Sequence, residues 1–518
     1  MKQDGNKPLR WNNIYSLIPF YFFKEIDLNR VKKLSSAEMK RQFVFIFIIL
    51  PTLSFSQGWQ WVKNEGGAGI DNGHSICTDG NGNCYTAFDS SEYAMISKYN
   101  SAGNSIWKVN IWNGHARTII SDNAGRLYVS GDSSNQVLIA KYDSSGNEIW
   151  KTNGGAGNCN GISLDNAGYI YLTGSISFLQ KFDTSGNQIW IRNVNATGNS
   201  ICTDNLANCY ITGKFSGTVS FGTNILTALG SQDIFIAKYD SSGNCIWAKR
   251  AGGNSILSYS KDCGYAVTAD NSGNIYFTGS IVDTVDFDSI VLVATSNDIF
   301  LAKYDTSGTA LWVKQATGLS DQEGRCIALN NQGNILIGGS YVQPVTFNST
   351  TLSGWGNYDA FIAKYGQNGN FINAINAGGA MWNEYVYGIA TDNSGNVFAA
   401  GSYCNTAYFG NDSLVSSGNY DTFTGKIDIS TNIEESEMNS FDVKIYPNPS
   451  NGFLTVEVDK KINVKEIRIT DLLGKIIFQL HSVIENRITI DNLQSGMYFL
   501  TVIDNENRIT NRKIISSR

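Results

Sequence analysis

The chain has 518 residues with 39 Lys and Arg against 45 Asp and Glu, and its charged fraction is 16% where globular domains carry about 25%. Six prolines and 62 aromatic residues exclude a Pro-rich disordered chain, and a net charge of −6 lacks the general electrostatic footprint of a nucleic-acid binder. With 56 Asn and 52 Gly, about a fifth of all positions favour turns. The composition is that of an all-β, turn-rich protein of extracellular type.

The first element in chain order is an export signal. Met39-Lys40-Arg41 is a short basic region, Phe43 to Leu50 is unbroken apolar sequence, and Ser54-Phe55-Ser56 places small residues before Gln57. This predicts a secretory signal peptide over 39–56, cleaved near Ser56–Gln57, because the apolar run is too short to span a bilayer. Residues 1–38 match nothing that follows and read as a leader, spurious or disordered, with Met39 as the expected start. No other segment reaches 18 apolar residues, so no transmembrane segment is expected after cleavage.

Two phrases then alternate. One is IAKYDSSGNEIW from Ile139 with its variants, whose lysines fall at 98, 141, 181, 238, 303, 364 and 426; the other is IATDNSGNVFAAG from Ile389 with its variants. In each, alternating apolar residues run into an Asp-rich turn and out again, where Asp and Ser cap the turn and Gly or Asn takes positive φ. Each unit is thus two hairpins, and four strands per 40–65 residues is the blade of a β-propeller. The later units carry insertions such as FSGTVSFGTNILTALGSQ. Lettering the strands a to d, the seventh unit lacks d, while Trp59 to Asn64 has the sequence of an orphan d strand. A seven-bladed propeller over 57–429 closed by that N-terminal strand follows, since closure removes the open sheet edges. The tryptophans of d (Trp61, Trp107, Trp150, Trp190, Trp247, Trp312) read as packing between sheets rather than as a stacking site for sugar.

The alternating phrases resemble the SBBP family of bacterial β-propeller repeats over roughly residues 59–429, with a looser likeness to quinoprotein propeller repeats in the KYD-x-x-G-x-x-x-W element. That resemblance implies architecture and leaves function open, because propellers host enzymes, scaffolds and lectins alike.

After an acidic linker at 430–440 the pattern changes to alternating strands with Pro447 and Pro449 confined to a loop. About seven short strands over 441–518 suit a small β-sandwich, and this tail carries 11 Lys and Arg against 9 Asp and Glu. Its elements YPNPSNG (Tyr446, Pro447, Asn448, Pro449, Gly452), DLLGK (Asp471, Gly474) and SGMYFL (Gly496, Tyr498) resemble the type A C-terminal sorting domain of the type IX secretion system of Bacteroidota. The resemblance implies a partner, the type IX machinery at the outer membrane, and a destination at the cell surface or in the medium.

Chemical signals are sparse. His74, His115 and His481 are too scattered for a histidine metal cluster, and no nucleophile elbow, HExxH or P-loop is present. No catalytic residue, metal or cofactor is nominated. The turns at Asp79, Asp165, Asp270 and Asp392 loosely resemble calcium loops but lack the terminal bidentate Glu, so hairpin capping is the reading. Among nine cysteines, Cys77/Cys84 and Cys202/Cys209 share spacing and repeat position. With a four-residue loop each pair faces across its hairpin, so disulfides and buried thiols are both open.

Three functions stay open. An exported binding module or scaffold presents a propeller face to a protein or glycan. An extracellular enzyme of glycosidase or lyase type works in the propeller channel. A structural surface protein serves adhesion or gliding.

Overall fold

The computed structural model describes residues 58–429 and 443–516, apart from 92, 123, 176–177, 255–261, 343, 381, 449, 451, 460–461, 472–474, 482–485 and 506–508. The expected leader, signal peptide and linker lie outside the described residues, as do Pro449 and Gly474.

Seven four-stranded antiparallel arrangements follow one another along the chain. The first comprises Gly73–Thr78, Cys84–Ser90, Tyr93–Tyr99 and Ser105–Asn113. The next five open at His115, Cys159, Thr197, Cys263 and Gln322. The seventh joins Tyr385–Thr391, Val397–Phe409 and Asp412–Asp428 to the N-terminal strand Gly58–Asn64. Within it Trp59 pairs with Ile427, Val62 with Gly425 and Asn64 with Phe423. The expected closure by the first strand is therefore what forms, and blade seven gains the ladder hydrogen bonds its outer edge would otherwise lack.

The turns show why these residues make hairpins. In the first, Asp79 Oδ1 accepts the N–H groups of Asn81 and Asn83, while Oδ2 accepts Asn83 Nδ2 at 2.8 Å and the Tyr85 hydroxyl at 2.8 Å. The same pattern recurs at Asp270, and in part at Asp165 and Asp392. A carboxylate whose oxygens are already engaged by the turn caps that turn. Lysine from the KYD phrase then lies over the same tyrosine ring, as with Lys98 over Tyr85 at 4.9 Å and Lys238 over Tyr210 at 5.1 Å.

The apolar core lies between blades. One cluster joins each blade to the next, and the last joins Ile76, Cys84 and Tyr99 of blade one to Phe398 and Ala400 of blade seven. Each fully buried large side chain in such a layer contributes about 1.5–3 kcal/mol. The insertions in blades four to seven form a second hairpin. Each sends in a phenylalanine (Phe221, Phe287, Phe347, Phe409) whose ring centroid lies 4.9, 5.0, 5.1 and 4.9 Å from Phe235, Phe300, Phe361 and Phe423 respectively.

The tail has two antiparallel sheets. Val443–Tyr446, Leu454–Val458 and Arg487–Ile490 form one; Ile476–His481, Val464–Asp471, Gly496–Asp504 and Ile509–Ser516 form the other. Leu454, Val456, Ile467, Ile469, Leu500 and Ile514 are buried in their shared core. Fold class is thus all-β, a seven-bladed propeller followed by a small sandwich.

Candidate functional site

Every inner strand carries a bulge at the same place. The residues left without a partner on the neighbouring strand are His74, Arg117, Asn160, Asn199, Tyr265, Arg325 and Tyr387, in blades one to seven. An inserted residue breaks the alternation of the pleat and re-aims its side chain. All seven line one cavity of about 190 Å³ enclosed by the inner strands.

Several of these side chains bond across to the next blade. Asn160 Nδ2 donates to Gly198 O at 3.0 Å, Asn199 Nδ2 to Gly264 O at 2.9 Å, and the Tyr265 hydroxyl to Glu323 at 3.1 Å. The Arg325 guanidinium holds the other oxygen of Glu323 and lies over the rings of Tyr265 and Tyr387, at 5.1 and 5.3 Å. Burial would lower the Arg325 pKa, but Glu323 outweighs it and keeps the group charged. Burial raises the Tyr265 and Tyr387 hydroxyls, which stay protonated donors. Arg117 donates to Asp132 at 2.6 Å. The lining thus pairs each guanidinium with a carboxylate and surrounds them with amides and phenols.

The reading of the histidines as scattered is corrected for two of them. His74 Nε2 and His115 Nδ1 both lie 2.7 Å from Asp89 Oδ2, and Asp89 Oδ1 accepts the Ala116 N–H at 3.0 Å. Burial alone would raise Asp89, yet the hydrogen bonds from His74, His115 and the Ala116 N–H, with the neighbouring His74, hold it below the ordinary carboxylate range. The histidines stand 41 positions apart, the length of one blade, so neighbouring inner strands bring them together. His74, Asp89 and His115 are ligand types able to hold a metal.

The candidate disulfides are corrected as well. Cys77, Cys84, Cys202 and Cys209 are free thiols. Cys77 pairs with Tyr85 while Cys84 pairs with Thr78, and Cys202 pairs with Tyr210 while Cys209 pairs with Thr203. Five residues, not four, separate the strands, so each pair is one position out of register and its thiols point to opposite faces. Cys77 lies in the core toward blade two and Cys84 in the core toward blade seven.

The d-strand tryptophans pack between sheets. The indole N–H groups of Trp107, Trp150 and Trp247 donate to the carbonyls of Ser144, Thr184 and Thr306 in the following blade. In the tail, Tyr446 ends an edge strand with its hydroxyl on Glu457, Pro447 and Asn448 follow it on the surface, and Gly452 sits at φ +91°. Asp471 accepts the Lys475 N–H at 2.9 Å, Gly496 opens a central strand, and the Tyr498 hydroxyl donates to Gln494 O at 3.1 Å.

The sequence reading missed the channel ring, because its seven members differ in type. A positional signal was present. Each stands five residues before the residue that caps its turn, as His74 before Asp79, Arg325 before Asn330 and Tyr387 before Asp392.

Comparison with known proteins bears on both parts. Residues 444–517 match the model of the secretion system C-terminal sorting domain. The tail therefore directs the chain to export by type IX secretion, to the cell surface or the medium. An uncharacterized WD repeat-containing protein of Acanthamoeba polyphaga mimivirus is 29% identical over 268 residues, covering 39% of this chain and 19% of that protein. The regulatory protein FlaEY of Caulobacter vibrioides is 24% identical over 148 residues (27% and 15%), and the ulvan lyase NLR42 of Nonlabens ulvanivorans 32% over 89 residues (17% and 16%). The chain thus spans less than a fifth of the length of each of these relatives. Among solved structures, the WD40 propeller domain of Doa1 superposes with TM-score 0.41 at 11% identity, covering 71% of this chain and 96% of that one. U3-55K does so with TM-score 0.46 at 10% identity, covering 72% and 100%. Among the described residues, no helix is long and apolar enough to cross a membrane.

Proposed function

We propose that the propeller is an exported binding module that takes a glycan at the mouth of its central channel. The observation that carries this reading is the ring of seven bulged polar residues around one cavity. Its charges are balanced, with Arg117 beside Asp132 and Arg325 beside Glu323, which disfavours a polyanion held by bare cations. Paired donors and acceptors beside phenol rings suit hydroxyl groups and sugar faces. The cavity, about 190 Å³, is below the ~300–1,000 Å³ of pockets that enclose a whole ligand, so it suits one sugar unit or the end of a chain. A protein loop is the other ligand this mouth accommodates.

The test is a glycan array probed with the mature chain, followed by titration of any hit against Tyr387→Ala and Asn199→Ala. Binding that weakens at least tenfold in both variants supports the reading. Binding unaffected by either variant, or retention of proteins and no glycan, overturns it.

The second reading is an enzyme. It is favoured by the similarity to an ulvan lyase and by His74, Tyr265 and Tyr387 in one cavity, groups of the kind that move protons in catalysis. Cleavage of ulvan or another polysaccharide by the mature chain, abolished by His74→Gln, would replace the binding-module proposal.

A further inference from the structure

We propose that His74, Asp89 and His115 bind one divalent transition-metal ion of the zinc class, at the junction of blades one and two beside the channel mouth. The three residues come from three strands: the bulge of the first inner strand, the end of the strand beside it, and the start of the inner strand of blade two. Their ligand atoms all lie within 4.8 Å of one another, and both imidazole nitrogens approach the same carboxylate oxygen at 2.7 Å. Metal–ligand distances of about 2.0–2.2 Å place neighbouring donors of a tetrahedral ion about 3.4 Å apart, so each nitrogen has to draw back from the carboxylate oxygen by about 0.7 Å and the two nitrogens have to settle about 3.4 Å from each other.

The carboxylate is already oriented for the task. Its side chain is 5% exposed and its second oxygen is held by the Ala116 N–H. Hydrogen bonds of this kind aim a metal-binding carboxylate. His115, in contrast, is 48% exposed, so one side of the site faces solvent and leaves coordination positions for water or a ligand. Two imidazoles and one carboxylate suit zinc-like ions, whereas calcium and magnesium take oxygen donors.

The blade does not need this cluster in order to fold. The position of Asp89 is filled by Ser280, Ser340 and Ser402 in blades five to seven, which pair in the same register. In blade two the equivalent Asp132 takes Arg117 instead. The metal inference does not depend on the glycan reading, and its test contains no glycan.

Calorimetric titration of the metal-stripped mature chain with zinc is the experiment, with cobalt absorption as a second readout. The expected result is one equivalent bound, a rise in melting temperature with zinc and none with magnesium, and affinity at least tenfold weaker in His74→Gln and His115→Gln. His481→Gln leaves binding unchanged. Because His115 is half exposed, its variant is expected to fold and decides the matter if His74→Gln does not. No zinc uptake, uptake unaffected by His115→Gln, or an equal response to magnesium would each overturn the proposal. Variants that lose stability in a chain that takes up no zinc would make the cluster a hydrogen-bonded clamp only.

Discussion

The indole nitrogen of Trp61 donates to the carbonyl of Ser101 at 3.2 Å, and the face of the same ring lies against Gly103. Trp61 belongs to the strand that closes blade seven, and Ser101 and Gly103 to the outer turn of blade one. Trp107 meets Ser144 and Gly146 in the same way, as do Trp150 with Thr184 and Gly186, and Trp247 with Thr306 and Gly308. The joint between last and first blades is therefore made like those within the repeat. Gly103 has φ +79°, and a Cβ there would lie 2.7 Å from the Trp61 ring, so this turn needs glycine twice over.

Removing the closing contact weakens the ring at one defined seam. Trp61→Ala is expected to cost about 3 kcal/mol, the low end for truncating a large packed aromatic. Deletion through Asn64 is expected to cost more and to expose the outer edge of Asp412–Asp428. Thermal melts and size-exclusion profiles read both effects. An unchanged melting temperature in the deletion would refute closure by the N-terminal strand.

Stability is expected to fall as pH rises from about 4.5 to 8. Burial pushes Glu384 up to about 8, only partly offset by the Gly379 N–H at 2.9 Å, and pushes Asp262 up to about 7. A carboxyl whose folded-state pKa is raised favours the folded chain fully below its ordinary value, and that contribution is lost as pH climbs to the folded value. Glu384→Gln should flatten the profile between about 4.5 and 8. A parent whose melting temperature is level across that range would contradict this.

The thiols should behave as buried hydrophobes. Cys84 and Cys209 have no exposed surface, and burial pushes Cys77 up to about 12. None of the three forms a reactive thiolate at neutral pH. Non-reducing mass spectrometry is expected to find no disulfide among Cys77, Cys84, Cys202 and Cys209, and reductant should leave the melting temperature unchanged. A linked Cys77–Cys84 peptide would mean a hairpin register different from the one described.

The last strand, Ile509–Ser516, pairs with Gly496–Asp504 from Gly496 to Ile503 and buries Ile514 in the sandwich core. Its removal leaves a central strand as an edge, so the sorting domain should lose its fold. An exported fluorescent protein fused to residues 430–518 should reach the surface or medium of a type IX-competent host. The same fusion cut before Asn511 should stay in the periplasm. Delivery indifferent to that cut would count against the domain as the address.

Much of the architecture was legible locally. The Asp-capped turns, the alternation running into them and the repeat of both announce hairpins, because turn chemistry and pleat period act over five or six residues. The orphan strand at Trp59 to Asn64 was legible too, since a ring one strand short at its end has to find that strand elsewhere. The tail declared itself through YPNPSNG and its neighbours, and its match spans 444–517. What the linear order left open depends on counts and closure. One residue more in the loop between Thr78 and Cys84 turned Cys84 away from Cys77, because side chains alternate with period two. The meeting of His74 and His115 on Asp89, and of seven unlike residues around one cavity, required adjacent inner strands to be set side by side in a closed ring. That adjacency is a property of the tertiary structure: the sequence by itself determined the blades, and the ring decided which of their residues face one another.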